Sequence, residues 1–251
     1  MDCDLYPDVA AAGSLAALLE RTAAGLGIAL AVTPRAPGSL TAARIASSTP
    51  GREPLSVYID EAPRRRFGIA GRSGSNQLIG GGTTDLAAVV RAGVAWGAGR
   101  SLREMAAELP FECAVEFADA LAQGAAAVVA LQWRHVREHA ARTEDFPEFT
   151  ALVEAAHAEP RLRRLSVYLS HWTVAFSSCT DFPFRDEVAV TPSPNGPYYV
   201  RDNPLYNSPG KEPLSRVLAE APSAAEAVAL AAGHLPADLG PAVLGRGLDD
   251  D

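Results

Sequence analysis

Two side chains near the middle of the sequence have the chemistry of a proton-transfer or ligand-binding site. His171 carries an imidazole, which can donate or accept a proton, and Thr173, two positions later, carries a hydroxyl group. Side chains two residues apart lie on the same face of a β-strand. We therefore expect His171 and Thr173 to share the polar face of a sheet, where they could contact a ligand or transfer a proton.

The segment after this pair adds a thiol, a carboxylate and an aromatic ring. Cys179 and His171 would make a nucleophile and its base, with Asp181 orienting the base. On one continuous strand, Cys179 and His171 would be about 26 Å apart at ~3.3 Å per residue. This distance excludes a nucleophile–base pair unless the chain folds back at residues 177–178. The predicted binding residues are His171, Thr173, Cys179, Asp181 and Phe182, and His171 is the candidate catalytic residue.

Another cluster has the spacing of the H-x-x-E-H metal motif. His135 and His139 stand one helical turn apart, with Glu138 between them. The flanking Arg134 and Arg137 oppose metal binding, and the sequence does not identify a third ligand. We therefore expect a solvent-facing helix end, no metal site and no cofactor.

Glycines and arginines form further patterns that could bind an anion. Residues 80–84 read Gly-Gly-Gly-Thr-Thr before a predicted helix, and free N–H groups at a helix start attract anions. The segment lacks the lysine of a phosphate-binding loop, so a turn with Thr83 or Thr84 as helix cap is the favoured interpretation. Arginine runs at 64–66 and 161–164 have the same potential, but short charge runs are mostly solvated faces.

These residues need a sheet to position them, and hydrophobic periodicity predicts one. Apolar and polar residues alternate between residues 165 and 178, which predicts one half-buried strand with Trp172, Val174 and Phe176 in a core. A small, mostly antiparallel sheet followed by helices is predicted twice along the chain. We therefore predict an α+β protein of two similar halves.

The predicted organisation has four segments. Residues 1–54 hold a helix, a strand and a loop rich in Pro, Gly and Ser, and residues 55–112 hold the first sheet-plus-helix half. A helical linker over 113–160 leads to the second half at 161–251. A chain of 251 residues is long enough to bury two cores of this size.

Composition limits the expected partners and compartment. The net charge of −8 argues against a nucleic-acid partner, because phosphate binding needs a basic face. The three cysteines lack metal-ligand spacing and are an odd number, which favours a reducing cytoplasm over a disulfide framework. The sequence has no window of about 18 apolar residues, so we expect no membrane segment.

Five segments carry a family resemblance: SHWTVAFSSCTDFPF at 170–184, AAEAV at 224–228, HLPADLGPAV at 234–243, GTTDLAAVVR at 82–91 and SLREMAAELPF at 101–111. Together they resemble an actinobacterial domain family of unknown function whose members are described as natural product biosynthesis proteins. The resemblance extends over residues 55–248 and departs at 234–239, where the family has a turn similar to Pro-Pro-Gly-Cys. It implies a biosynthetic context and assigns no catalytic residue.

Three classes of function are open at this point. The first is an accessory or binding protein in specialised-metabolite biosynthesis, whose partner is a small-molecule or peptide intermediate or another pathway protein. The second is a small-molecule-modifying enzyme, a cyclase or hydrolase using His171, and the third is an immunity-like protein-interaction module. An enzyme should join His171 to a second titratable group in a concave pocket, whereas an interaction module should expose a broad apolar or acidic patch.

Overall fold

The computed structural model describes residues 4–59, 63–202 and 216–247. It consists of two compact units that divide in the sequence between Ala118 and Asp119. Each unit has an antiparallel sheet and helices packed against it, which confirms the predicted α+β class. Within the described ranges, none of the helices has the length and apolar character needed to cross a bilayer.

The first unit is a six-stranded antiparallel meander with helices packed on it. Its helices are α1 (Pro7–Ala12), α2 (Leu15–Gly25), α3 (Leu86–Gly97) and α4 (Leu102–Glu108). Its strands are β1 (Thr33–Pro34), β2 (Ala42–Ile45), β3 (Leu55–Ile59), β4 (Phe67–Ser73), β5 (Asn76–Thr83) and β6 (Glu112–Cys113), paired in sequence order. Helices α2 and α3 pack on each other and on the sheet, and bury Leu19, Val89 and Trp96. Helix α5 (Val115–Gln123) spans the division between the units.

The glycine-rich segment expected to form a turn before a helix is part of strand β5. The Gln77 amide lies over Gly80, and the Arg66 guanidinium lies over Gly82. A Cβ atom on Gly80 would overlap the Gln77 amide, and one on Gly82 would overlap the Arg66 guanidinium. The glycines therefore allow two long side chains to lie flat across the strand.

The cap of helix α3 also differs from the prediction. Asp85 precedes the helix in an extended conformation, and its carboxylate accepts a hydrogen bond of 2.8 Å from the backbone N–H of Ala87. Thr83 and Thr84 are therefore wrong as caps. The reason is that β5 continues through Thr83, so the helix begins later than the threonines suggested.

The second unit has a layer of helices on one face of a five-stranded sheet. Its helices are α6 (Ala125–Ala141), α7 (Pro147–Ala158), α8 (Pro160–Arg163) and α9 (Ala224–His234). Its strands are β7 (Ser166–Ser170), β8 (Thr173–Ser177), β9 (Cys179–Asp181), β10 (Asp186–Pro192), β11 (Tyr198–Arg201), β12 (Val217–Ala221) and β13 (Val243–Arg246). The main sheet has the order β12-β11-β10-β8-β7 with antiparallel neighbours, and β9 pairs with β13 in parallel.

The segment predicted as one strand over residues 165–178 is a hairpin of β7 and β8. Ser170 pairs with Thr173, so the chain reverses at His171 and Trp172. Val174 and Phe176 are fully buried beneath the helices, which confirms two of the three predicted core residues. Trp172 is 44% exposed, so its predicted burial is wrong, because it lies in the turn and not on the inward face of a strand.

The four predicted segments map differently onto the two units. Residues 1–54 contribute α1, α2, β1 and β2 to the first unit. The expected linker at 113–160 contributes α6 and α7 to the second unit, because Phe149 and Leu152 of α7 are buried in the same core as Val174. As a division into independently folding domains, the four segments stay a prediction.

We expect Phe176→Ala to lower the free energy of unfolding of the second unit by about 3–5 kcal/mol, because it leaves a cavity in a fully buried site. Trp172→Ala is the matched control, since it removes an aromatic ring from the same hairpin at an exposed position. Trp172→Ala should lower the free energy of unfolding by less than half as much as Phe176→Ala. Urea denaturation measures both, and equal costs would contradict the assigned faces of the hairpin.

Candidate functional site

The turn between β7 and β8 has an unusual backbone for its sequence. His171 and Trp172 are its two central residues, and His171 has a φ of 56°. A two-residue hairpin turn with positive φ at the first central position normally has glycine there, because a side chain is strained in that conformation. The chain therefore holds an imidazole at a position where backbone energetics favour glycine, and such strain is common at functional sites.

His171 and Thr173 line one pocket of about 610 Å³. One wall is the β7–β8 turn, the second is the loop that joins α6 to α7 at residues 142–146, and the third is the end of β10 with the following turn. This volume lies in the range of small-molecule sites, which is about 300–1,000 Å³. We call it the hairpin pocket.

The exposed Trp172 ring is supported from below by three aromatic side chains. Phe146 and Phe149 meet it edge to face at centroid distances of 5.3 and 5.4 Å, and His139 stacks on it at 6.4 Å. The indole N–H makes no hydrogen bond to a described residue. The pocket therefore has a fixed aromatic surface on which a planar ligand can stack.

The opposite side of the pocket is polar and rigidly held. Thr173 and Thr191 lie on neighbouring strands, and their hydroxyl oxygens are 2.8 Å apart in a hydrogen bond. The turn after β10 is fixed by Glu148, whose carboxylate accepts a hydrogen bond of 2.9 Å from the Asn195 backbone N–H. Tyr198 donates its hydroxyl to the Glu148 carbonyl at 3.3 Å, and burial raises the pKa of this phenol.

Charged side chains lie on the wall formed by the α6–α7 loop. Arg142, Glu144 and Asp145 all line the hairpin pocket. Their side chains form no ion pair with a described residue, so both carboxylates are available to a ligand. With two acids and one arginine on this wall, the pocket favours a neutral or cationic ligand over an anion.

Cys179 lies away from the hairpin pocket. It follows β8 at the end opposite His171, and the strand alone separates those ends by about 13 Å at ~3.3 Å per residue. The thiol is buried, and its sulfur accepts a hydrogen bond of 3.1 Å from the Arg185 backbone N–H. Cys179 therefore holds the loop after β9, and the structure does not place it beside His171.

Asp181 ends β9 and Phe182 begins the loop that follows it, and neither residue lines the hairpin pocket. The Asp181 carboxylate accepts a hydrogen bond of 2.8 Å from the Phe182 backbone N–H and lies 3.8 Å from Arg246 Nε. Phe182 is exposed and meets Phe184 edge to face at 6.2 Å. Of the five predicted binding residues, His171 and Thr173 line the hairpin pocket, whereas Cys179, Asp181 and Phe182 lie together at β9 and the loop after it.

The H-x-x-E-H residues lie on the C-terminal half of α6, and each histidine is exposed. Glu138 is 3.7 Å from Arg134 in an ion pair, and His139 contacts aromatic rings. Among the residues that the structure describes, no three His, Cys, Asp or Glu side chains form a group that could hold a metal ion. The expected lack of a metal site stays a prediction.

Sequence reasoning missed most of the hairpin pocket. Trp172 was placed in the core, and the wall at 142–146 was expected to be the end of a helix and its linker. One signal was present, since Pro194-Asn195-Gly196 predicts a turn that would bring the ends of two strands together. The reversal at His171 and Trp172 had no such signal, because neither residue is typical of a tight turn.

Comparison with known proteins gives one match. Residues 127–246 match the model of a family described as a family of unknown function (DUF6193), which is just under half of the chain. The matched stretch includes the whole hairpin pocket. It confirms the resemblance to a domain of unknown function, although the resemblance was expected to extend over residues 55–248. No curated protein and no solved structure matches the chain.

We expect His171→Gly to leave the free energy of unfolding unchanged or to raise it by about 1 kcal/mol, because glycine adopts a positive φ without strain. His171→Val should lower it by about 1–2 kcal/mol, since a β-branched side chain tolerates this conformation least. Thermal and urea unfolding of the two variants measure the difference. An equal loss in both would show that the imidazole itself stabilises the turn.

We expect protein purified without a polyhistidine tag to contain substoichiometric zinc by elemental analysis. The reason is that Glu138 pairs with Arg134 and the His139 ring packs on Trp172. One tightly held zinc ion per chain, lost in His139→Ala, would contradict this expectation.

Proposed function

We propose that this chain is a binding protein for a small-molecule or peptide intermediate of natural product biosynthesis, and that the ligand occupies the hairpin pocket. The observation that carries the proposal is the exposed Trp172 ring, held between His171 and Thr173 over an aromatic support. A large exposed aromatic ring in a concave pocket, beside polar groups that can orient a ligand, is typical of ligand sites.

The chemistry of the walls indicates the class of ligand. A flat ring would stack on Trp172, and hydroxyl groups would exchange hydrogen bonds with the pair of Thr173 and Thr191. An amine would gain charge-assisted contacts with Glu144 and Asp145. We therefore propose a ligand with a planar ring and a cationic or hydroxyl group.

The biosynthetic context rests on the resemblance to an actinobacterial family whose members are described as natural product biosynthesis proteins. The proposed setting is the cytoplasm, which the cysteine usage favours. The net charge of −8 supports a partner other than nucleic acid. A second pathway protein and the role of an immunity-like interaction module stay predictions.

An enzyme is the second candidate, and one observation favours it. The hairpin pocket is lined by His171 together with the carboxylates of Glu144 and Asp145, which is the combination expected of a cyclase or hydrolase. His171→Asn tests this role, because asparagine tolerates a positive φ but does not transfer protons. Turnover of a bound compound that is lost in His171→Asn while binding persists would favour the enzyme.

Tryptophan fluorescence can test the binding function directly. Trp96 and Trp133 are 0% and 2% exposed, and Trp172 is the tryptophan that lines the hairpin pocket. We expect phenethylamine to change the Trp172 emission, taken as the part lost in Trp172→Phe, at lower concentration than 2-phenylethanol. At this pocket 3-phenylpropanoate should bind least, because the loop wall is acidic. Titration of the three compounds while tryptophan emission is recorded gives the order of their affinities.

Matched variants separate the pocket from the rest of the surface. Glu144→Gln combined with Asp145→Asn should remove the preference for the amine, whereas Glu220→Gln, an exposed carboxylate on β12, should not change it. Trp172→Phe should lose the optical signal. Equal responses to all three compounds in wild type, or no response to any, would contradict the proposal.

A further inference from the structure

A second concave surface of the second unit has a different character from the hairpin pocket. It has a volume of about 760 Å³ and lies between α6, α7, α8 and the segment at residues 241–242. Its floor is apolar and includes Val129, Ala130 and Trp133 of α6. We call it the arginine groove, because four arginines line it.

Two of these arginines are held by acids on the neighbouring turn or helix. Arg137 and Glu154 form a two-point ion pair with both distances at 2.8 Å, and the guanidinium holds the pKa of that carboxyl below its usual range. Arg134 is 3.7 Å from Glu138. Both acids line the groove, so these pairs leave its edge close to neutral on this side.

The other two arginines have capacity for a further partner. Arg163 is exposed, and its side chain makes no hydrogen bond or ion pair with a described residue. One terminal nitrogen of Arg164 donates a hydrogen bond to the Leu239 carbonyl. The Nε of the same side chain is buried without a hydrogen-bond partner among the described residues. A buried N–H without an acceptor is costly, and the Arg164 side chain itself lines the groove.

Arg161 of the same sequence run has a structural role. Its guanidinium donates to the Ala232, Leu235 and Pro236 carbonyls at 2.6, 3.1 and 2.7 Å, and so it ties α8 to the end of α9. The run at 161–164 is therefore divided between a structural arginine and two arginines of the groove. This division corrects the expectation of a plain solvated face.

His157 is a further titratable side chain that lines the arginine groove. Its ring meets Trp133 edge to face at 5.3 Å and lines the groove. Burial lowers the pKa of this imidazole, as do the neighbouring charges of Arg137 and Arg163, against the opposing effect of Glu154.

From this geometry we infer that the arginine groove binds a small amphipathic anion, with its carboxylate or phosphate at Arg163 and Arg164 and its apolar body on the floor formed by α6. The apolar floor excludes a simple inorganic ion as the best ligand, since such an ion gains nothing from Val129 and Trp133. The inference is independent of the hairpin pocket, whose wall is acidic.

Three probes with the same alkyl chain test the inference by isothermal titration calorimetry. Octanoate should bind at least about tenfold more tightly than 1-octanol, because a charge-assisted hydrogen bond contributes that much affinity. Octylamine should bind more weakly than either probe, since its head group has the same sign as Arg163. No binding of octanoate, or equal binding of the three probes, would overturn the inference.

Charge and shape variants locate the site. Arg163→Glu should weaken the binding of octanoate by about tenfold or more. Arg35→Glu is the control, because it changes the net charge equally at an exposed position of the first unit and should have no effect on octanoate binding. Ala130→Phe fills the groove and should abolish binding, while Ala151→Phe, on an exposed position of α7 outside it, should not.

The variants also separate the two proposed sites. Arg163→Glu should leave the Trp172 response to phenethylamine unchanged, and Glu144→Gln with Asp145→Asn should leave octanoate binding unchanged. If Ala130→Phe fails to fold, Arg163→Glu still tests whether octanoate binds in the groove, because Arg163 is exposed and contributes no contact to the described core. An equal loss of octanoate binding in Arg163→Glu and Arg35→Glu would show unspecific charge attraction and overturn the inference.

Discussion

The reversal of the chain at His171 and Trp172 sets the geometry of the second unit. Because the turn has only two residues, Leu169 must pair with Val174 and Val167 with Phe176. This register directs Val174 and Phe176 toward the helices and places Thr173 beside Thr191 of the next strand. A shift by one residue would exchange the two faces of the hairpin, so one strained turn position determines both the core and the polar wall of the hairpin pocket.

Trp133 links that core to the arginine groove. Its indole N–H donates to the Leu165 carbonyl at 3.3 Å, just before β7, and its ring packs near Phe176 at 6.1 Å. The outer edge of the same ring meets His157. The floor of the groove is therefore continuous with the packed core, and the groove keeps its shape without a ligand.

Local patterns in the sequence predicted what depends on local geometry. Alternation placed Val174 and Phe176 in the core, because period-2 burial is a property of any half-covered strand. It misplaced Trp172, since a turn of His and Trp lacks the Asn or Gly that marks a reversal. His171 and Thr173 line the same pocket, but His171 lies in the turn and not on the strand face expected for it. The loop at 142–146 that completes their pocket is brought there by the packing of α6 and α7.

The arginines show the same limit, because their roles depend on which carbonyls and acids the fold brings near them. Arg161 and Arg163 are two positions apart, but only the first reaches the end of α9.

Helix α6 contributes to both proposed sites, and its geometry is consistent with the opposite ligand charges proposed for them. Its side presents arginines to the groove, while its C-terminal end leads into the acidic loop of the hairpin pocket. The carbonyl groups at a helix C-terminus carry partial negative charge, which adds to the field of Glu144 and Asp145 and disfavours an anion there. The flank of the same helix has no such end charge, and its own Arg134 and Arg137 are paired with acids. The anion proposed for the groove is therefore held by Arg163 and Arg164, which lie at and after the end of α8. One helix can thus support two adjacent sites without either attracting the ligand of the other.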